Sequence, residues 1–273
     1  MKDIVGAGTA ALPTKFVDVN GIRLAYSEAG SGSLAIYAHG LTLSRAGDRR
    51  LGLLDFSPVA ANHRLITYDA RGHGESGAGL VPADYAFSAL ADDLLALADH
   101  FSPDHPISVI GNSMGTATIL HAVVKAPKRF HRVVLTAPPT AWEGRTGQAD
   151  MYEKLAATVE TSTPRAVAAS FSQLPTPPIF ADVSGYLSTP DVRLDVLPIL
   201  LRGVGNSNLP DRAELARIAQ PTLILSWATD PVHPAPVAEE LAGLIANAEL
   251  HVSETEADVR TWGTRAATFL AGA

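Results

Sequence analysis

Short, strongly apolar runs recur along the chain, separated by longer stretches in which apolar residues return every three or four positions. The runs are residues 16–19, 23–26, 34–38, 65–68, 107–110, 133–135, 222–226 and 250–252. From the third onward they are apolar throughout instead of alternating. That pattern belongs to strands buried on both faces, and so to a parallel sheet covered by helices. Asn20-Gly21 alone separates the first two runs, which predicts a tight hairpin and an antiparallel start to the sheet. The intervening spacings of Leu90, Leu94, Leu97 and Phe101, of Val237, Leu241 and Leu244, and of Val259, Trp262, Ala266, Phe269 and Leu270 predict helices with one buried face.

The alternation of strand and helix stops over residues 140–210, where no buried-strand run occurs. The chain is therefore expected to form an α/β core from residues 1–139 and 211–273, with 140–210 inserted as a helical cap. Thr163-Pro164 and Thr189-Pro190 read as helix starts, because proline at the first helical position gives up a donor that has no partner there. Asp211 followed by Glu214 reads as a capping box before Leu215, where the core pattern resumes.

With 273 residues, 47% of them hydrophobic and 18% charged, the chain can bury a substantial core and is too apolar to be disordered. A formal net charge of −7 removes the electrostatic term on which binding to nucleic acid or an anionic membrane depends. The one basic cluster, Lys125, Lys128, Arg129 and Arg132, reads as solvated charge at a helix end. There is no cysteine, which excludes a thiol nucleophile, a disulfide framework and a zinc site built on thiolates. None of the nine histidines forms a pair at metal-ligand spacing, so neither metal nor cofactor is expected. No apolar run is long enough to span a bilayer, and the first residues lack a signal-peptide core, so the expectation is a cytoplasmic monomer or homodimer acting on a small molecule.

The chemistry centres on Gly111-Asn112-Ser113-Met114-Gly115, a G-x-S-x-G sequence between a buried strand run and an apolar helical stretch. Glycines two before and two after the serine let a strand turn sharply into a helix, which exposes the Ser113 hydroxyl above the strand end. A serine attacking a carbonyl needs donors for the oxyanion that forms. His39-Gly40 follows the third run, which makes the backbone N–H of Leu41 a candidate donor alongside that of Met114.

With these motifs in hand, the chain resembles the α/β-hydrolase fold family, in its esterase, lactonase and carbon–carbon hydrolase branch. The resemblance covers nearly the whole chain. It rests on His39-Gly40, on Asp69-Ala70-Arg71-Gly72-His73-Gly74 after the fourth run, on the serine motif, and on Asp230 after the seventh run. It implies an eight-stranded, mostly parallel sheet with an inserted cap, Ser113 as nucleophile, Asp230 as orienting acid, and structural roles for His39, Asp69 and His73.

The chain departs from the family at the base. The family's histidine belongs in the loop after the eighth strand, and residues 255–259 read Thr-Glu-Ala-Asp-Val. Three alternatives stand. His233 shares a turn with Asp230 and reaches Ser113 from there; His251, inside the eighth run, reaches the site through a change of register; or no base exists, and an acid such as Asp258 supports slower chemistry.

The corresponding functions are a cofactor-independent serine hydrolase of small apolar esters or lactones, a degenerate ligand-binding protein, or a non-hydrolytic enzyme such as a lyase or cyclase. Trp142, Tyr152 and Phe171, with Met151, Phe180, Tyr186 and Leu200, are the cap residues expected over Ser113. Arg145 and Arg202 are candidates for a substrate carboxylate, with surface positions as the plainer reading.

Overall fold

The computed structural model describes residues 12–173, 176–183, 190–230 and 232–272. Eight strands form one sheet: β1 (Lys15–Val19), β2 (Ile22–Ala29), β3 (Ser33–Ala38), β4 (His63–Tyr68), β5 (Ile107–Asn112), β6 (Phe130–Thr136), β7 (Thr222–Trp227) and β8 (Ala248–Ser253). Their order across the sheet is β1-β2-β4-β3-β5-β6-β7-β8. The β1–β2 and β2–β4 pairs are antiparallel and the others parallel. Asn20 and Gly21 both take positive φ, 48° and 73°, the backbone that a two-residue hairpin turn requires.

Helices cover both faces, and the apolar strands divide their side chains between two cores. Ile36, Val109, Leu135 and Ile224 join the core under α2 (Phe87–Phe101) and α3 (Met114–Lys125). Tyr37, Ile110, Val134 and Leu225 join the opposite core, which includes Leu53, Val59 and Trp262. Neighbouring residues on one strand thus point into different cores, which is why no polar position alternates through them. Edge strand β8 departs from the expectation of full burial: only Ser253 is buried, because among the described residues no strand pairs with its outer side. After β3 the chain enters α1 (Arg45–Leu51), whose N-cap Ser44 oxygen accepts from the N–H groups of Ala46 and Gly47.

Between β6 and β7 the described residues contain helices and turns but no strand of the sheet. The helices are α4 (Arg145–Thr161), α5 (Pro164–Ser172), α6 (Leu197–Gly205) and the single turn α7 (Arg212–Leu215). Thr163 caps α5 by accepting from Ala166 N–H, with Pro164 in the first turn, as the Thr-Pro pair implied. Thr189 lies outside the described residues, as does Tyr186. The Glu214 carboxylate accepts the Asp211 N–H at 3.1 Å, the back-bond of a capping box.

After α7 and β7 come α8 (Ala235–Leu244), β8, the single turn α9 (Glu256–Val259) and α10 (Trp262–Ala271). Of the residues expected to face inward, Leu90, Leu94, Leu97, Leu241, Val259, Trp262, Ala266, Phe269 and Leu270 are buried, whereas Phe101, Val237 and Leu244, at or near helix ends, are only half-buried against the core. Among the described residues no helix is long and apolar enough to cross a membrane.

Candidate active site

Ser113 occupies the one-residue turn between β5 and α3, with φ 51° and ψ −105°. The crowding that forces this turn is explicit. A Cβ on Gly115 would lie 2.1 Å from the Ala38 carbonyl oxygen, and one on Gly111 2.6 Å from the Gly115 backbone. α3 can therefore approach β3 and β5 only with glycine at both positions, and the strain falls on Ser113. The Ser113 N–H donates to Thr136 O at 3.0 Å, and the Thr116 hydroxyl lies within bonding distance of Gly111 O and Thr136 O, which pins the turn to β6.

The loop after β3 runs beside this serine. A Cβ on Gly40 would sit 3.6 Å from Ser113 Cβ, so the Gly40–Leu41 peptide lies against the nucleophile. His39 fixes that peptide. Its Nε2 accepts the Ala70 N–H at 3.0 Å, which leaves the ring proton on Nδ1 to donate to Gly40 O at 2.8 Å. Because the peptide is trans, holding its carbonyl at His39 turns the Leu41 N–H to the opposite side. Burial, with His73 beside it, lowers the His39 pKa to about 4, so the ring is neutral near pH 7, and its one lone pair is already committed to the Ala70 N–H.

His73 is wholly buried, with Nε2 2.7 Å from Leu41 O and Nδ1 2.9 Å from Arg71 O, and burial lowers its pKa as well. Asp69 accepts from the Arg45 backbone N–H, from its guanidinium and from Glu75 N–H, while Arg71 grips Asp93 through two 2.6 Å contacts. These residues build the loop and do not reach the serine. Met114 opens α3, so its N–H is one of the four that an α-helix leaves without an internal partner.

His233 Nε2 lies 2.8 Å from Ser113 Oγ, and His233 Nδ1 lies 2.8 Å from Asp230 Oδ2. The other Asp230 oxygen accepts the N–H groups of Val232 (2.7 Å) and His233 (3.2 Å). Burial pushes the Asp230 carboxyl pKa up, but the hydrogen bond and charge of His233 and the two backbone donors outweigh it. The net pKa is below the ordinary value, so the carboxylate stays ionised. The loop is anchored from the β6 side, where Thr140 N–H donates to Val232 O at 3.2 Å.

His251 stands elsewhere. The sheet register aligns Asn112, Thr136, Leu225 and His251 in one row, so His251 is three strands from the serine's strand, roughly 14 Å at ordinary strand spacing. Its Nε2 is bound to Asp258 Oδ2 at 2.7 Å, and Asp258 also accepts from Arg265. The alternatives that rest on His251 or Asp258 therefore have no contact with Ser113.

Trp142, Tyr152 and Phe171 are placed in the packing of the segment between β6 and β7. Trp142 donates its indole N–H to Pro210 O beneath the Arg212 guanidinium, Tyr152 accepts from Gln148, and Phe171 is buried in the core. Arg145 corrects the surface expectation. It is buried and donates to Ser207 O and Val204 O, where a cation favours the carbonyl end of α6. Arg202 is paired with Glu153 and Glu160.

One residue that the motifs did not single out as part of the site stands beside His233, and Phe180, one of the expected cap residues, packs against it. Trp227, the last residue of β7, meets the imidazole edge to face at 5.5 Å between ring centroids, and Phe180 meets Trp227 at 4.9 Å. The sequence signal for Trp227 is its position at the end of the strand that delivers Asp230. Among the described residues no group of three histidine or carboxylate side chains is arranged to hold a metal ion.

A family model described as alpha/beta hydrolase fold matches residues 36–258. The 3-oxoadipate enol-lactonase 2 of Acinetobacter baylyi is 26% identical over 196 residues, 70% of each chain. The dihydrolipoyllysine-residue acetyltransferase component of the acetoin cleaving system of Cupriavidus necator is 30% identical over 137 residues. That match covers 50% of this chain and 35% of the relative, so the chain spans about a third of its length. Among solved structures, a hydrolase from Pseudomonas aeruginosa superposes with a TM-score of 0.78 at 26% identity, covering 97% of this chain and 99% of that one.

Proposed function

The chain belongs to the alpha/beta hydrolase fold family, and from that premise we propose that it is a cofactor-independent serine hydrolase of small, mostly apolar esters or lactones. One observation carries this reading: a single imidazole, His233, bridges the Ser113 hydroxyl and the Asp230 carboxylate, with 2.8 Å on each side. Asp230 holds the ring proton on Nδ1, so the Nε2 lone pair faces the Ser113 O–H. As Ser113 Oγ bonds to the substrate carbonyl carbon, its proton passes to Nε2. The carbonyl π pair moves onto oxygen, where the Leu41 and Met114 N–H groups receive the charge.

Collapse of that intermediate breaks the bond to the leaving oxygen, which takes the proton from Nε2 and leaves an acyl group on Ser113. Water then repeats the sequence with the same base, releasing the acid and restoring the serine. The inserted helices, residues 140–210, act as the cap over this centre, with Trp142, Tyr152 and Phe171 supporting an apolar enclosure. The enol-lactonase relative supports the lactone side of the reading.

Labelling with a fluorophosphonate tests it. The wild type should be modified at Ser113 and Ser113→Ala should not; absence of label on the wild type overturns the assignment.

A further inference from the structure

The indole of Trp227 is 4% exposed, and its Nε1 is a buried donor with no hydrogen-bond partner among the described residues. Leaving such a donor unpaired forfeits its hydrogen bond to water with nothing in return, and orphaned buried polar groups are rare enough to require a reason. The other two indoles of the chain are satisfied: Trp142 donates to Pro210 O, and Trp262 to the Ser253 hydroxyl at 2.9 Å. Trp227 is also the indole that meets His233, and it is held from behind by Trp262, stacked at 5.4 Å. Phe180, from the inserted region, packs edge-on against the same ring. The donor therefore belongs to a rigid side chain lodged between the catalytic imidazole and the inserted segment, at the carboxyl end of a parallel strand, where ligands of open α/β sheets bind.

The position beside His233 decides which part of a substrate this ring meets. In the proposed reaction Nε2 returns its proton to the leaving oxygen, so the leaving group occupies the space flanking the imidazole. We infer that Trp227 is a specificity-determining residue whose indole N–H donates to an oxygen acceptor carried by the alcohol portion of the substrate. The preferred substrate class is then an ester whose alcohol bears a second oxygen, such as an alkoxyalkyl or hydroxyalkyl ester, and not a simple alkyl ester. A site holding a buried donor discriminates against an analogue that lacks the acceptor, because binding it leaves the N–H unpaired.

The inference rests on the serine-hydrolase reading, and the test separates the two. Butyl butanoate and 2-methoxyethyl butanoate differ only by a methylene and an oxygen in the alcohol. The wild type and Trp227→Phe are compared by the ratio of kcat/KM for the two esters, which cancels intrinsic reactivity, with fluorophosphonate labelling of Ser113 run in parallel. Trp227→Phe should lower the preference for the methoxyethyl ester about 10-fold, the scale of one hydrogen bond, while both proteins label. A ring that only supports His233 would slow both esters together and leave the ratio unchanged, and that result, with labelling intact, overturns the inference alone. A wild type that neither labels nor hydrolyses either ester overturns both readings. If Trp227→Phe folds poorly, Phe180→Leu keeps the indole N–H, and it should retain the wild-type ratio. Loss of the ratio in that variant overturns the assignment to Trp227.

Discussion

Asp230 and His233 are joined twice: one carboxylate oxygen holds the imidazole Nδ1 at 2.8 Å and the other accepts the His233 backbone N–H at 3.2 Å. A single group thus sets both the path of the loop and the tautomer of the ring. Asp230→Asn should leave the loop folded, since an amide oxygen can still accept the backbone N–H groups. Its NH₂ would face Nδ1 and favour the proton on Nε2, the wrong nitrogen for a base. In a comparable triad that exchange costs about 10⁴-fold in kcat. We expect a loss of at least about 10²-fold in kcat here, with KM changed little. Steady-state ester hydrolysis checks it, and a loss below about 10-fold would mean that Asp230 does not orient the base.

The row Asn112, Thr136, Leu225, His251 gives a second comparison between two histidines. His233→Ala should reduce turnover by about 10³-fold or more, because serine is a weak nucleophile without an adjacent base. His251→Ala removes the contact with Asp258 at the sheet edge, so activity should stay within about twofold, with a stability change of about 1 kcal/mol, as for a half-exposed pair. Equal losses in the two variants would contradict the assignment of the base.

Much of this architecture was legible because burial is written into the strands. Ile36 and Tyr37, or Val134 and Leu135, enter opposite cores, so both must be apolar, and the run announces a covered parallel strand. Asn20-Gly21 and the glycines at 111 and 115 were readable for the same kind of reason, since only particular backbones fit there. The base was harder. Nothing in the spacing of Asp230 and His233 excludes His251; the choice depends on β8 lying three strands from β5, a tertiary fact. Arg145 was misread because a charged side chain is ordinarily solvated, and only the fold supplies the Ser207 and Val204 carbonyls that receive it. Trp227 escaped notice as a site residue because an aromatic at the end of a buried strand looks like ordinary core.

Asp48 makes stability fall as pH rises. It is buried under Tyr37, whose hydroxyl donates to it at 2.9 Å. Burial, opposed by that bond and reinforced by Asp69 and Asp191, raises its pKa from 3.8 to about 7. The folded state therefore holds the proton more tightly than the unfolded chain. The associated stability is fully present below about pH 4 and is lost as pH climbs through 7. Asp48→Asn keeps an acceptor for Tyr37 and removes the charge. At pH 8 it should be more stable than the wild type by up to about 4 kcal/mol, the rise from 3.8 to about 7 taken at 1.36 kcal/mol per pKa unit, with the gap closing towards pH 4. Urea unfolding at pH 4, 6 and 8 measures this, and a gap independent of pH would show that Asp48 is not the titrating group.

The turn at Ser113 separates catalysis from stability. Its φ of 51° with ψ of −105° lies where glycine is at ease and other residues are strained by about 1–3 kcal/mol. Ser113→Ala and Ser113→Gly both remove the nucleophile, so both should be inactive and unlabelled by a fluorophosphonate. Alanine keeps the Cβ and with it the strain, whereas glycine relieves it and gives back about 0.4–1 kcal/mol through the greater freedom of the unfolded chain. Ser113→Gly should accordingly be more stable than Ser113→Ala by about 1 kcal/mol in denaturant unfolding. An alanine variant as stable as the glycine variant would mean that the backbone at Ser113 relaxes out of this conformation, and that the sharp turn is not held by the close approach of Gly115 to Ala38.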